Sequence, residues 1–268
     1  MEGIRRFSAE VEARAKAWRE AVSTDWPWAD RGKPGEVGGV TQGYFIDCEG
    51  IAGFAKPSRS TDPVPTAAQE KIASDLAYDL RLPVPPVLLW DRGERNDGLH
   101  RYCAVSLVPF DPANKWGAIL RIPTTRDRLL PGFALAASAM VAFDTWIGNS
   151  DRVNDGNLIV TEGAGSLGRQ YAYIDHGHTM SHGWGEGPAP AITSMVGPYP
   201  TQATIETMTV TATIAEIEAL SDDHIRSVVD RVPEEFITRQ RRECIREGLC
   251  RRRDGLRGAL VPLIGATQ

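Results

Sequence analysis

Three oxygen-bearing side chains on two short loops are the residues of this chain best suited to chemistry. The stretch 149–175 reads N-S-D-R-V-N-D-G-N-L-I-V, then a Gly-rich turn, then Y-A-Y-I-D. Asp151 opens the first loop, Asn157 closes it, and Asp175 ends the returning strand. A hairpin of this kind brings its ends together, so Asn157 and Asp175 are expected side by side. An amide oxygen beside a carboxylate offers two hard ligands for Mg2+, with a phosphate completing the shell. Asp151, one loop away, is placed to orient a hydroxyl nucleophile. Such a set is what phosphoryl transfer requires. The competing reading is an Asx-rich turn, because Asn, Asp and Gly favour turns for conformational reasons alone.

Two further stretches can complete that chemistry. Residues 35–56 read as a hairpin, G-G-V-T-Q-G-Y-F-I-D and I-A-G-F-A-K around a turn at Cys48-Glu49-Gly50. Gly38, Gly39 and Gly43 let a backbone approach a bulky anion closely. No GK[ST] follows, so this is not a Walker A loop. Lys56 ends the second strand, where it can reach into a cleft or lie on the surface. Glu70 falls near the start of a helix expected over 66–80, with Ile72, Ala73, Leu76, Ala77 and Leu80 on one face. A glutamate there suits the helix dipole; it can equally pair with Lys56 and hold the lysine for a nucleotide phosphate.

The elements that must position these residues follow from periodicity and punctuation. Val11, Ala15, Trp18 and Val22 give a first helix one apolar stripe, with Ser8 as its cap and Glu10 in its first turn. Strands are expected at 87–90 and 102–108, making with the hairpin a small, mainly antiparallel sheet. A helix over 133–147 is apolar almost all round and therefore buried; it delivers the chain to the 149–151 loop. Asp144 interrupts its last turn, in a buried structural role paired with an arginine or with that loop. Helices are expected at 213–220, 222–232 and 234–249, with Ser221 capping one and Pro233 opening another. Eight arginines between Arg239 and Arg257 alternate with Glu243, Glu247 and Asp254. They read as a solvated helix face, or else as a docking surface for an acidic partner.

The 268 residues allow one large domain or two lobes sharing a cleft. A net charge of −5 argues against electrostatic binding of nucleic acid. No apolar run approaches the roughly 20 residues of a membrane span, and the first residues lack a signal core, so a cytoplasmic location is expected. Cys48, Cys103, Cys244 and Cys250 have no zinc spacing and read as free thiols. His178 and His182 are four apart, but Gly177 and Gly183 bracket them and favour a loop over a metal-binding helix face.

A glycine-containing hairpin, a strand lysine, a helix glutamate, a buried helix, an Asp–Asn loop and a strand ending in Asp form the order of the protein-kinase-like fold. The wording G-G-V-T-Q, F-A-K-P, E-K-I-A-S-D-L-A-Y-D-L-R-L-P-V-P-P, G-N-S-D-R and Y-I-D-H-G resembles the HipA-like kinases, especially their short stand-alone members. D-R followed by N, with I-D-H-G in place of D-F-G, is also similar to the phosphoinositide kinases. The resemblance covers about residues 35–185. It implies an α+β bilobal fold: a lead-in at 1–34, an N-lobe at 35–110 and a mainly helical C-lobe at 111–268. It implies ATP and Mg2+ as cofactors, the backbone around Gly38, Gly39 and Gln42 over the phosphates, Lys56 on them and Glu70 behind Lys56. Asp151 would be the catalytic aspartate, and Asn157 and Asp175 the metal ligands. Val153 stands where the related D-R-H motif has histidine, and Asn157 follows Asp151 by six positions instead of five, leaving Asn154 as a competing ligand. The implied activity is phosphorylation of Ser or Thr in a protein, with an antitoxin-like partner as a further expectation. Its alternatives are a nucleotide-binding pseudokinase that regulates a partner, or a small-molecule kinase or AMP transferase.

Overall fold

The computed structural model describes residues 9–24, 26–31, 43–58, 66–109, 114–149, 151–152, 154–161, 171–180 and 205–265. A six-stranded sheet forms one part of the molecule. It contains β1 (Ser23–Thr24), β2 (Ala29–Asp30), β3 (Tyr44–Cys48), β4 (Ile51–Pro57), β5 (Val87–Asp91) and β6 (Tyr102–Leu107), in the order β1-β5-β6-β4-β3-β2. Every pairing is antiparallel except β1 with β5. The short segment after helix α1 (Ala9–Ala21) thus supplies both edges of the sheet. β3 and β4 form the expected hairpin, closed at Glu49–Gly50 with both residues in the left-handed region.

Period-two alternation gives the sheet two unlike faces. Tyr44, Ile46, Ala55, Leu88, Trp90, Cys103, Val105 and Leu107 point to a core shared with Val11 and Trp18 of α1. Lys56, on the opposite face, lies in register with Ala104 of β6. Helix α2 (Thr66–Asp79) packs against that face. It is buried from Thr66 to Ala77, its polar residues included, rather than along one stripe. The reason is that other elements cover its far side, and they satisfy its polar groups. Ser74 donates to Pro85 O at 2.9 Å, and Lys71 Nζ donates to Trp18 O, Val87 O and Asp75 Oδ1, each at 3.0 Å.

The rest is mainly helical. β7 (Asn114–Lys115), β8 (Leu158–Val160) and β9 (Tyr171–Tyr173) make a small antiparallel sheet. Around it stand α3 (Trp116–Ile119), α4 (Pro123–Ile147), α5 (Thr207–Glu218), α6 (Asp222–Asp230) and α7 (Arg239–Ile264). Residues 136–147 of α4 are buried among α5 and α7. Gly148 ends α4 at φ 68°, ψ 44°, the left-handed C-cap that glycine adopts without a Cβ penalty. That cap turns the chain into the 149–151 loop.

Helix bounds differ most from expectation in α4, α5 and α7, the last of which runs on to Ile264 instead of ending at 249. α4 begins at Pro123, a residue tolerated in a first turn, and α5 at Thr207. Pro233 opens a turn closed by Phe236, not a helix; α7 starts at Arg239, where the Thr238 side chain accepts from Arg241 N. The arginines of α7 are not a uniformly solvated face. Arg252 donates to Thr145 O and Trp146 O at the end of α4, both at 2.7 Å, and Arg253 to Leu220 O at 2.7 Å. Arg241 donates to Met180 O, and Arg257 pairs with Glu218 at 2.6 Å. They tie α7 to the ends of neighbouring elements, where carbonyls lack helical partners.

Candidate active site

Lys56 is the centre of the site. Its ammonium stands 2.8 Å from Glu70 Oε1 and 2.8 Å from Asp175 Oδ1, and only 8% of the residue is exposed. Three elements therefore meet at one cation: β4, α2 and the segment after β9. Burial would lower the Lys56 pKa, but Glu70 and Asp175 more than offset it and raise it above the usual lysine value. Burial likewise opposes ionisation of Asp175, and Lys56 overrides this, holding the carboxyl below its usual range. Both groups are charged at neutral pH.

Asp175 takes φ +65°, a left-handed conformation uncommon for a non-glycine residue. Such a conformation costs about 1–3 kcal/mol and persists where neighbours hold it. The neighbours are visible on both sides. Ile174 N donates to Asn157 O at 2.9 Å, and His176 N donates to Glu70 Oε2 at 3.0 Å. Gly177 then passes so close to Thr66 that a Cβ would lie 2.4 Å from Thr66 Cγ2.

The Asp151 loop is closed by Asn157. Asn157 Nδ2 donates to Asp151 Oδ2 at 2.7 Å and to Asp151 O at 3.0 Å. This turns the amide oxygen of Asn157 away from Asp151. The spacing of six is taken up by a 3-10 turn over Asp155–Asn157, with Asn154 N on Asp151 O at 3.1 Å and Asn157 N on Asn154 O at 2.9 Å. Asn154 is exposed and caps that turn through Gly156 N. Register places Leu158 opposite Tyr173, so Asn157 and Asp175 leave adjacent strand ends as the hairpin argument required. Gly38, Gly39 and Gln42 lie outside the described residues.

Beneath these groups runs a buried polar network. Arg152 Nε donates to Asp144 Oδ2 at 2.7 Å, and Arg152 Nη1 to Asn157 O and Ile174 O, both at 2.9 Å. Arg152 Nη2 faces His176 Nε2 at 2.9 Å. Burial, with Arg152 and Lys56 nearby, holds His176 well below the usual histidine range, so its ring is neutral. Arginine only donates, hence Nε2 is the acceptor and Nδ1 carries the proton. The arginine expected for Asp144 is thus Arg152. His176 carried no such signal beyond standing in I-D-H-G.

The spatial likeness follows from this arrangement. The chain is similar to the Helicobacter pylori proinflammatory kinase CtkA, with a TM-score of 0.61 and 13% identity, over 92% of this chain and 100% of that one. The fold is protein-kinase-like. Hydra Fam20, in a structure with sugar, is similar with a TM-score of 0.54 and 13% identity, over 96% of this chain and 91% of that one. No family model matches the sequence, and no curated protein does.

Lys56 meets Asp175, the residue before Asp175 is bonded to Asn157, and Asn157 is bonded to Asp151. The donor chemistry suits a hard divalent cation. Asn157 and Asp175 offer an amide and a carboxylate oxygen, and Mg2+ is commonly held by one or two protein oxygens plus substrate phosphates. Among the described residues no three His, Cys, Asp or Glu side chains stand together as a metal-binding group.

Proposed function

We propose that the chain is an ATP- and Mg2+-dependent phosphotransferase of the HipA-like kinase type, transferring the γ-phosphoryl group to a Ser or Thr hydroxyl of a protein. The observation that carries this reading is the Lys56 ammonium suspended between Glu70 and Asp175 at 2.8 Å from each. A buried lysine with two carboxylates can surrender one to a cation and still be held by the other. Glu70 would keep Lys56 extended while its ammonium moves to the nucleotide phosphates. Asn157 and Asp175 would hold Mg2+, which supplies neutralisation of charge on the phosphate oxygens. Asp151 has one carboxylate oxygen engaged by Asn157; the other would accept the hydrogen bond of the attacking hydroxyl and align it. The backbone around Gly38, Gly39 and Gln42 would cover the phosphates. G-N-S-D-R and Y-I-D-H-G support the HipA-like assignment.

The test is thermal unfolding with and without Mg-ATP, on wild type and Asp175→Ala, followed by transfer from γ-labelled ATP. Ligand at about 100 times its dissociation constant stabilises by roughly 2.7 kcal/mol, a shift of about 5–10 °C for a chain of this size. The shift should require the metal and vanish in Asp175→Ala. No shift in folded wild type would overturn the reading. A shift without transfer to any protein would replace it with a nucleotide-binding regulator; label on a small molecule, or AMP on a protein, would change the acceptor or the group moved.

A further inference from the structure

We propose that Arg152 is the positioning residue that sets the separation of the Asn157 and Asp175 oxygens, and with it the affinity of the site for a divalent cation, and that His176 is the acceptor that fixes its orientation. The proposal rests on the kinase reading above and concerns how that site is built. A guanidinium is a rigid plane with its donors in a fixed fork. Here one edge binds the Asp144 carboxylate at the end of α4, at 2.7 and 3.4 Å. Nη1 binds Asn157 O and Ile174 O at 2.9 Å each. Those carbonyls belong to one proposed metal ligand and to the residue just before the other. Nη2 binds His176 Nε2 at 2.9 Å, just after the second ligand. The peptides carrying both ligands are thus held by a single nitrogen.

Mg2+ demands near-ideal octahedral geometry with oxygens at about 2.0–2.1 Å, so it is sensitive to small changes in ligand separation. The network also reaches Glu70, because His176 N donates to its Oε2 at 3.0 Å. Arg152 is 8% exposed, and the centre of its guanidinium stands 5.1 Å from the Tyr173 ring, so its plane is confined on its flat side as well. A lysine at this position would keep a charge opposite Asp144, but as a point donor it could not hold both carbonyls and the imidazole in one plane. If Arg152 served only to neutralise Asp144, that exchange would affect stability and leave cation affinity in the folded protein unchanged.

The experiment counts free Mn2+ by electron paramagnetic resonance during titration of the full chain, held in excess over a non-hydrolysable ATP analogue and referred to the nucleotide alone, for wild type, Arg152→Lys, His176→Phe and His176→Gln. Phenylalanine keeps an aromatic ring against Phe143 but removes the acceptor; glutamine supplies an amide oxygen to Arg152. Loss of a group that orients metal ligands typically weakens metal affinity about 10–100-fold. Arg152→Lys and His176→Phe should weaken Mn2+ at least about tenfold, with His176→Gln within about threefold of wild type. Nucleotide affinity measured without metal should change by less than about threefold in all three. If wild type takes up no Mn2+, the kinase reading falls and this proposal with it. If wild type binds Mn2+ and Arg152→Lys binds it equally well, the proposal falls and the reading stands. Should Arg152→Lys fail to unfold cooperatively, the histidine pair decides: equal affinity in His176→Phe and His176→Gln overturns the proposal.

Discussion

Substituting Gly177 by alanine places one methyl group against the start of α2. The added Cβ would stand 2.4 Å from Thr66 Cγ2 and 3.7 Å from Thr66 Cβ, while Glu70 Oε1 at 3.6 Å is ordinary contact. The overlap is therefore with Thr66 alone. Thr66 is 5% exposed and β-branched, so its side chain has few other rotamers and little room to adopt them. Overpacking of this kind costs about 1–3 kcal/mol. With about 2–4 °C lost per kcal/mol in a chain this large, the melting temperature of Gly177→Ala should fall by about 2–12 °C. Relief through movement of α2 would pull Glu70 from Lys56, so the nucleotide-dependent melting shift should shrink too. Thr66→Ser removes the offending methyl and retains the hydroxyl. In a denaturant double-mutant cycle, Gly177→Ala in the Thr66→Ser background should cost at least about 1 kcal/mol less than in wild type, within the usual range for touching residues. Additive costs would refute the reasoning, because they would show that the Thr66 methyl is not what the alanine meets.

Lys71, fully buried and bonded to Asp75 and two carbonyls, should be costly to truncate. Lys71→Met is expected to lose about 3–5 kcal/mol by equilibrium unfolding. Arg231 also stands 3.8 Å from Asp75 Oδ2 and stays with the carboxylate in Lys71→Met, so adding Asp75→Leu should change stability by less than about 1 kcal/mol. His176 is held neutral in the fold, its pKa lying well below an unfolded value of about 6.5. Unfolding then takes up a proton below that pH. This contribution is fully present above about pH 6.5 and is lost as pH falls towards the folded pKa, by about 1.4 kcal/mol per pH unit. Denaturation of wild type and His176→Gln at pH 5.5 and 7.5 checks this: the variant should lack that slope, and equal slopes would count against it.

Much of the fold was readable because its signals are local. Alternation in 44–57 marks a hairpin, and the apolar run before Gly148 marks a buried helix with its stop. The chain order Lys56, Glu70, Asp151, Asn157, Asp175 could be listed from residue types alone. α2 was harder. Its sequence suggests one apolar stripe, yet Gln69, Glu70, Lys71 and Asp75 are buried too. Periodicity reports only whether a face is apolar, and a buried polar face looks the same as a solvated one until its partners are known.

Those partners come from far along the chain. His176 N reaches Glu70 across 106 positions, and Arg252 reaches the end of α4 across more than 100. The arginines of α7, evenly interleaved with acids, could not show in one dimension which of them point inward to orphan carbonyls. Nor could spacing alone say which asparagine turns to Asp151; the 3-10 turn decides it by carrying Asn157 inward and leaving Asn154 exposed as its cap. The sequence by itself determined the inventory of charged groups, the periods of the main elements and the two strands that carry Asn157 and Asp175. The tertiary structure alone decided how those groups are paired. Hydrogen bonds and ion pairs act over about 3 Å in space, and separation along the chain does not measure that distance.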